Sequence, residues 1–376
     1  MIAPSSIPSI DVIVPVHTDT RPIRRAVSNV VSSEHAGTRA VVVCHNMNSE
    51  AIAEHLSGMD SSRLTLLEYH DGIHSPAGPM NAGVRASTAD YVAFLGSDDE
   101  YETGALDAWV SELSDQTDLL IGQFKTETGG RILAPAPRVG RFSALDAARD
   151  MLFYRTPPVA MLIRRDLLAL PQCPGFVEGI PNGEDLAITA FLYSHAATIG
   201  YSRCDAGYFV WEGGGDRVTA LSYPLNELLL PVNDLLERPW VEELDRTKRV
   251  ALATKLLRIN VIEHCRARAR TEGLSEDDID AARRTIESLD RYATGCLGRL
   301  SVKDARVAEA IKAGDVAAVR NLLNPESRVS LWARVAPQRI RHLLASDGML
   351  RRMVRIVLVP RTLRSPDRLK RMRKSR

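Results

Sequence analysis

The sequence predicts an α/β fold, a doubly wound and mostly parallel sheet followed by a helical C-terminal region. Three observations carry this expectation. Short β-branched runs alternate with amphipathic segments through the N-terminal half. One run, Tyr91-Val92-Ala93-Phe94-Leu95, ends in a turn bearing Asp98, Asp99 and Glu100. Carboxylates there point out of the carboxyl edge of the sheet, where open α/β sheets bind ligands. From about Tyr223 onward the strand signal vanishes and helical periodicity takes over.

The elements follow in order. Ile10–Val16 is a β-branched run stopped by polar residues and reads as a first buried strand. Residues 22–32 carry Ile23, Val27, Val30 and Val31 at helical spacing. Ala40–Cys44 is a second buried strand, followed by a helix over 49–56 and a short strand over Leu64–Leu67. Residues 81–87 suit a helix facing the sheet, and Tyr91–Leu95 is the fourth strand. Residues 105–122 read as a helix and then a strand. Residues 131–141 are a Pro- and Gly-rich loop, 144–153 a helix, and 159–163 a strand. Beyond the boundary, helices are expected over 225–236, 241–268, 275–292 and 305–323, the last broken at Gly314. The expected units are 1–222, a catalytic unit; 223–330, a helical acceptor-binding or oligomerisation region; and 331–376, a basic amphipathic tail.

Composition is that of a globular chain of 376 residues, 45% apolar and 25% charged. The net charge of +1 hides an asymmetry. Residues 331–376 hold 14 Lys and Arg against two Asp, a local +12 that leaves −11 on the rest. Basic residues interleaved with Met353, Val354, Ile356, Val357 and Leu358 suit an element lying on an anionic leaflet. From Leu350 on the tail lacks stacking aromatics, so nucleic acid is not the expected partner. The five cysteines are scattered with no CxxC pair, no signal peptide is evident, and no apolar run is long enough to span a membrane. The expected location is cytoplasmic, peripheral at the inner face of the membrane.

Four motifs share one order. The first strand ends in Pro15-Val16-His17. Gly78-Pro79-Met80-Asn81-Ala82-Gly83 opens a helix just before the acidic strand. Gly96-Ser97-Asp98-Asp99 follows that strand, and Asn182-Gly183-Glu184-Asp185-Leu186 begins a later helix. Together they resemble the family 2 inverting glycosyltransferases, which have the A-type nucleotide-diphospho-sugar transferase fold, over roughly residues 9–220.

The resemblance implies transfer of a hexosyl or N-acetylhexosaminyl group from a nucleotide-diphospho-sugar to a hydroxyl acceptor. A UDP-sugar is the first expectation for the donor. The acceptor is expected to be a cell-envelope glycan, a lipid-linked glycan or a polyol-phosphate polymer. By the same resemblance Asp98 stands at the last acid of the family's DxD motif and would touch a divalent metal, Mn2+ or Mg2+. Such a metal neutralises the departing diphosphate. Asp185 is the expected base, taking the acceptor proton, with Glu184 orienting it. A carboxylate at a helix N-terminus is expected to be held ionised by the dipole. Donor-binding candidates are Pro15, Val16, His17, Asn46, Asn81, Ser97, Asp98 and Arg217, with Glu212 as a second metal ligand.

The chain departs from the family pattern in several places. Gly96 occupies the motif's first acidic position, Cys44-His45-Asn46-Met47 replaces the acids that end the second strand, and Met80 replaces an Arg. Gly96 and the missing acid at Cys44-His45 motivate an alternative, a sugar-nucleotide-fold binding or scaffold protein without turnover. A nucleotidyltransferase would want a Lys- or Arg-bearing loop after the first strand, and His17-Thr18-Asp19-Thr20 supplies none. Trp109 is expected in the core, Trp211 is a candidate stacking platform, and 70–78 is expected to be a loop over the donor.

Overall fold

The computed structural model describes residues 8–127, 130–131, 138, 140–155, 157–211, 223–324 and 330–339, with single positions up to residue 351. Strand β1 (Ile10–Val16) lies between β2 (Thr38–His45) and β4 (Tyr91–Phe94), parallel to both. Beyond β2 comes β3 (Leu64–Tyr69), also parallel. On the far side of β4 lie β9 (Met161–Arg164), β6 (Leu119–Ile121) and β10 (Ile199–Tyr201), completing seven strands. β9 runs antiparallel to both its neighbours, so the sheet is mixed with a parallel majority. A smaller sheet joins β5 (Glu100–Tyr101), β11 (Gly207–Val210), β7 (Gln123–Thr126) and β8 (Gly130–Arg131) beside the carboxyl edge of β4.

Central strands buried on both faces need apolar residues pointing both ways, and the middles of β1 and β2 supply them. Ile10, Val12, Val14 and Val16 face one core with Ala40, Val42 and Cys44. Ile13, Val41 and Val43 face the other. The first core is closed by α1 (Ile23–Val31), α2 (Glu50–His55) and α4 (Ala105–Ser111). Ile23, Ala26, Val27 and Val30 form the buried stripe of α1. Trp109 of α4 is fully buried and leaves room only for glycine at position 122, where a Cβ would stand 1.9 Å from its ring. The second core takes α3 (Ala77–Ala86) and α6 (Leu186–His195), and runs without a break into the helical region as far as Leu323. Asp11 is a buried charge in β1. Arg39 binds it through two nitrogens at 2.9 and 3.0 Å, and Ser87 Oγ, Thr88 N and Ala89 N donate to it as well.

A short helix α5 (Arg165–Leu168) follows β9, and from Leu225 on the described elements are helices: α7 (Leu225–Leu236), α8 (Pro239–Glu242), α9 (Arg246–Lys255), α10 (Glu263–Thr271), α11 (Glu276–Tyr292), α12 (Val302–Lys312), α13 (Val316–Leu323) and α14 (Leu331–Val335). A π-helical segment, Leu256–Ile262, joins α9 to α10. Ser275 and Asp278 form a reciprocal capping box on α11, and Gly314, at φ 68°, makes the expected break between α12 and α13.

Three expectations are corrected. Residues 144–153 form turns ending in a single 3-10 turn, Leu152–Tyr154, instead of a helix. Asp150 and Asp146 accept nearby backbone N–H groups, and Ala144 and Met151 sit at positive φ, so side chains replace the helical ladder. The helix expected over 241–268 is interrupted where Asp245 caps α9 through Thr247 N and Lys248 N. The helix α3 begins at Ala77 instead of 81, with Pro79 tolerated in its first turn.

Candidate active site

At the carboxyl edge of the parallel strands lies a cleft of about 420 Å³, within the usual range for small-molecule sites. It is built by stretches remote in sequence. The end of β1 contributes Pro15, Val16 and His17. The turn after β4 contributes Gly96, Ser97, Asp98 and Asp99, and Glu184 and Asp185 enter from the start of α6. Phe124, Phe176, Tyr208 and Val210 close the far wall.

The acidic turn is held from two sides. Arg21, just before α1, meets Asp98 Oδ2 through Nη1 at 2.6 Å, and Arg25 donates to the Asp98 carbonyl. Arg21 itself lines the cleft. Asp99 is turned to the structure: Tyr208 hydroxyl donates to its Oδ2 at 2.6 Å and Trp211 N to its Oδ1 at 3.2 Å. Gly96 N–H donates to the same Tyr208 hydroxyl at 3.1 Å. A Cβ on Gly96 would lie 3.0 Å from Asp99 Oδ2 and 3.2 Å from both Asp98 Oδ1 and the Tyr208 hydroxyl. The missing acid of this turn is therefore a matter of space as well as sequence. Glu100 pairs in β5 with Phe209.

At the end of β2, His45 lines the cleft and bonds Asp71 Oδ1 through Nε2 at 2.8 Å. A carboxylate thus reaches this position from the loop after β3, where the sequence of β2 itself offers none. Burial opposes its ionisation. Hydrogen bonds from Ile73 N and His45 nevertheless hold the Asp71 carboxyl below the usual range. Asn46, at φ 55°, receives Asp71 N and Gly72 N on Oδ1 and donates to the Ile73 carbonyl, bracing the loop rather than lining the cleft. His74 from that loop reaches the cleft and packs edge-on against His17, ring centroids 5.5 Å apart. Asn81 likewise serves the framework: its amide clamps Phe176 N and carbonyl and donates to Glu178.

Asp185 occupies the N-cap position of α6 but its carboxylate caps no first-turn N–H. Gly183 makes the approach, with φ 85° and Pro231 of α7 so close that a Cβ would stand 2.9 Å from its ring. Although part of the residue surface remains open to the cleft, burial of the carboxyl pushes its pKa up to about 7. Glu184 beside it adds to the rise and Lys255 opposes it. Burial raises Glu184 as well. This corrects the expectation that the helix dipole holds Asp185 fully ionised: desolvation and a like charge outweigh the dipole. Lys255, at the end of α9, is fully buried. Its own pKa is driven down to about 7 by burial, Asp185 acting in the opposite sense.

Arg217 and Glu212, as well as most of the basic tail, lie outside the described residues. Among the described residues no group of three or more His, Cys, Asp and Glu side chains could hold a metal ion. Asp99 is bonded by Tyr208 and Asp98 by Arg21, so the described residues fall short of a complete divalent-metal ligand set. Trp109 is in the core as expected, and Trp211 has Arg25 over its ring at 4.6 Å. Arg21, Tyr208 and Lys255 went unread in the sequence. Arg21 directly follows the loop judged to lack a cation, and its position before the amphipathic α1 was the available signal.

Sheet order and site together define the A-type glycosyltransferase fold. Residues 11–169 match the family described as Glycosyl transferase family 2. The chain is 26% identical over 202 residues to the pre-mycofactocin glycosyltransferase of two strains of Mycobacterium tuberculosis. That match covers 51% of this chain and 40% of the relatives' length. Residues 1–349 of S. aureus TarS, solved in complex with UDP-GlcNAc, superpose with a TM-score of 0.67 at 19% identity, covering 84% of this chain and 90% of that one. The same TarS fragment in complex with UDP gives 0.63 at 18% identity over the same shares. Likeness at that identity speaks for the fold.

Proposed function

We propose that the chain is an inverting glycosyltransferase that moves a sugar from a nucleotide-diphospho-sugar to an acceptor hydroxyl. The observation that carries this reading is the convergence of Asp98, Arg21 and Asp185 on one cleft at the carboxyl edge of the sheet. The donor's base lies toward Val16, His17 and His45, and its diphosphate toward Ser97, Asp98 and Arg21. TarS was solved with UDP-GlcNAc, which makes UDP-sugars the first donors to test.

In this reading the acceptor hydroxyl gives its proton to an Asp185 carboxylate oxygen as its own oxygen attacks the anomeric carbon. The bond from that carbon to the diphosphate oxygen breaks, the electron pair leaves with the diphosphate, and the configuration inverts. Arg21 places positive charge beside the departing group. A base with a pKa of about 7 is ionised in a useful fraction at neutral pH and still basic enough to accept the proton. The divalent metal expected of the family would meet Asp98, with Glu212 as its second ligand; the steps above rest on protein groups alone.

Helices after residue 223 are proposed to hold the acceptor or a second copy of the chain. The basic tail is proposed to bring the enzyme to an anionic leaflet bearing a lipid-linked or polymeric envelope acceptor. Among the described residues no helix is long and apolar enough to cross a membrane. Thermal-shift screening of UDP-, GDP-, dTDP- and CMP-sugars, followed by assay of nucleoside diphosphate release, tests the reading. A stabilising donor that is turned over supports it. Binding without release under any acceptor and metal condition favours the scaffold alternative.

A further inference from the structure

A second pocket of about 290 Å³ shares Pro157, Asn182 and Asp185 with the main cleft and opens against the helical region. Its other walls come from α7 and the π-helical segment: Leu228, Pro231, Ile259, Asn260 and, one turn on, His264. We propose that this pocket is an acceptor subsite for an uncharged, hydroxyl-bearing unit such as a sugar ring, an inference that rests on the glycosyl-transfer reading.

Position is the first argument. Asp185 is the group common to both cavities that can take a proton, so a hydroxyl held in the smaller pocket reaches the base from the side opposite the donor. Chemistry is the second. Pro231, Ile259 and Leu228 give the apolar surface on which a ring's C–H face packs, and Asn182, Asn260 and His264 give polar groups around it. Lys255 Nζ donates to Asn260 Oδ1 at 3.0 Å, which orients that amide so that its N–H2 is the end left to meet a ligand. Asn260 is five residues beyond Lys255, a spacing that the π-helical segment accommodates. His264 Nδ1 is buried with no hydrogen-bond partner among the described residues, a deficit a ligand hydroxyl can relieve.

Charge is the third argument. No Lys or Arg belongs to the described lining, and Lys255 is fully buried behind Asn260. Burial and the Lys255 charge lower the pKa of His264, keeping it neutral. A phosphate in this pocket would meet a carboxylate and no cation. Even on a phosphate-bearing polymer, the unit that enters here is the neutral one.

Saturation-transfer NMR on the full chain, with glucose, N-acetylglucosamine and their 6-phosphates as probes, tests the inference. At least one neutral sugar is expected to bind. Asn260→Asp, which keeps the Lys255 partner and the side-chain shape, and His264→Ala should each weaken that binding roughly three- to tenfold, the effect of one lost hydrogen bond. The 6-phosphates should bind more weakly than their parents. Failure of both neutral sugars to bind overturns the inference, as does binding indifferent to both substitutions or equally tight binding of the phosphates. Failure of the wild type to bind any nucleotide-sugar would instead count against the glycosyl-transfer reading. The two results separate because the neutral sugars are tested without donor.

Discussion

Arg21 and Asp98 meet at 2.6 Å across the floor of the cleft, tying the entrance of α1 to the acidic turn after β4. The pair fixes an arginine where the family pattern leads one to expect a metal ion. Both side chains are largely shielded, so the contact is worth more than an open surface pair.

Arg21→Ala should therefore weaken donor binding. Loss of a charge-assisted contact to phosphate corresponds to about 10- to 100-fold in Kd, read by calorimetry with the best UDP-sugar. An unchanged Kd would remove Arg21 from the donor site.

Metal removal should matter less than in an enzyme with two acids in this turn. Asp99 is occupied by Tyr208 and Trp211 N, and position 96 has no room for a carboxylate without displacing them. Chelation with EDTA is expected to lower the rate of nucleoside diphosphate release less than about tenfold, well short of the several kcal/mol a Lewis-acid metal supplies. A loss of activity restored only by Mn2+ or Mg2+ would show that Asp98 recruits ligands beyond the described set.

Gly96→Asp does not rebuild the motif. The added carboxylate begins 3.0 Å from Asp99 Oδ2, so crowding and like charge should destabilise the fold by about 1–3 kcal/mol, read by denaturant unfolding. An unchanged unfolding midpoint together with tighter Mn2+ binding would contradict this account of the glycine.

The pH profile follows from Asp185. A base must be ionised, and burial has raised this carboxyl to about 7, so kcat/KM should climb about tenfold per pH unit below 7 and level off above it. Lys255 favours the ionised form, so Lys255→Met should move the rising limb to higher pH. A flat profile between pH 5 and 8, or a limb moving to lower pH in that variant, would contradict the assignment.

What the sequence made legible is local. The β-branched run before Pro15, the acids after Leu95 and the Glu184-Asp185 pair ahead of an apolar helix each declare themselves within about ten residues. Burial on both sheet faces and the carboxyl-edge position of ligand sites then bring three of these stretches together. What escaped was set by tertiary partners. Nothing in the sequence tied Asp99 to Tyr208, and Asn46 and Asn81 looked like donor ligands until their amides proved to brace loops. Residues 144–153 had the composition of a helix, but Asp146 and Asp150 turned their carboxylates onto the backbone. The ionisation of Asp185 was misread because a helix N-terminus is visible in sequence, while the burial that overrides it is not.

The central claim is that Asp185 takes the acceptor proton. Single-turnover transfer by Asp185→Asn, with donor binding measured on the same preparation, tests it most directly. The account predicts a loss of about 10²- to 10⁴-fold in the transfer rate with donor Kd within about threefold of wild type. Transfer at the wild-type rate, or a loss explained entirely by donor binding, would contradict it.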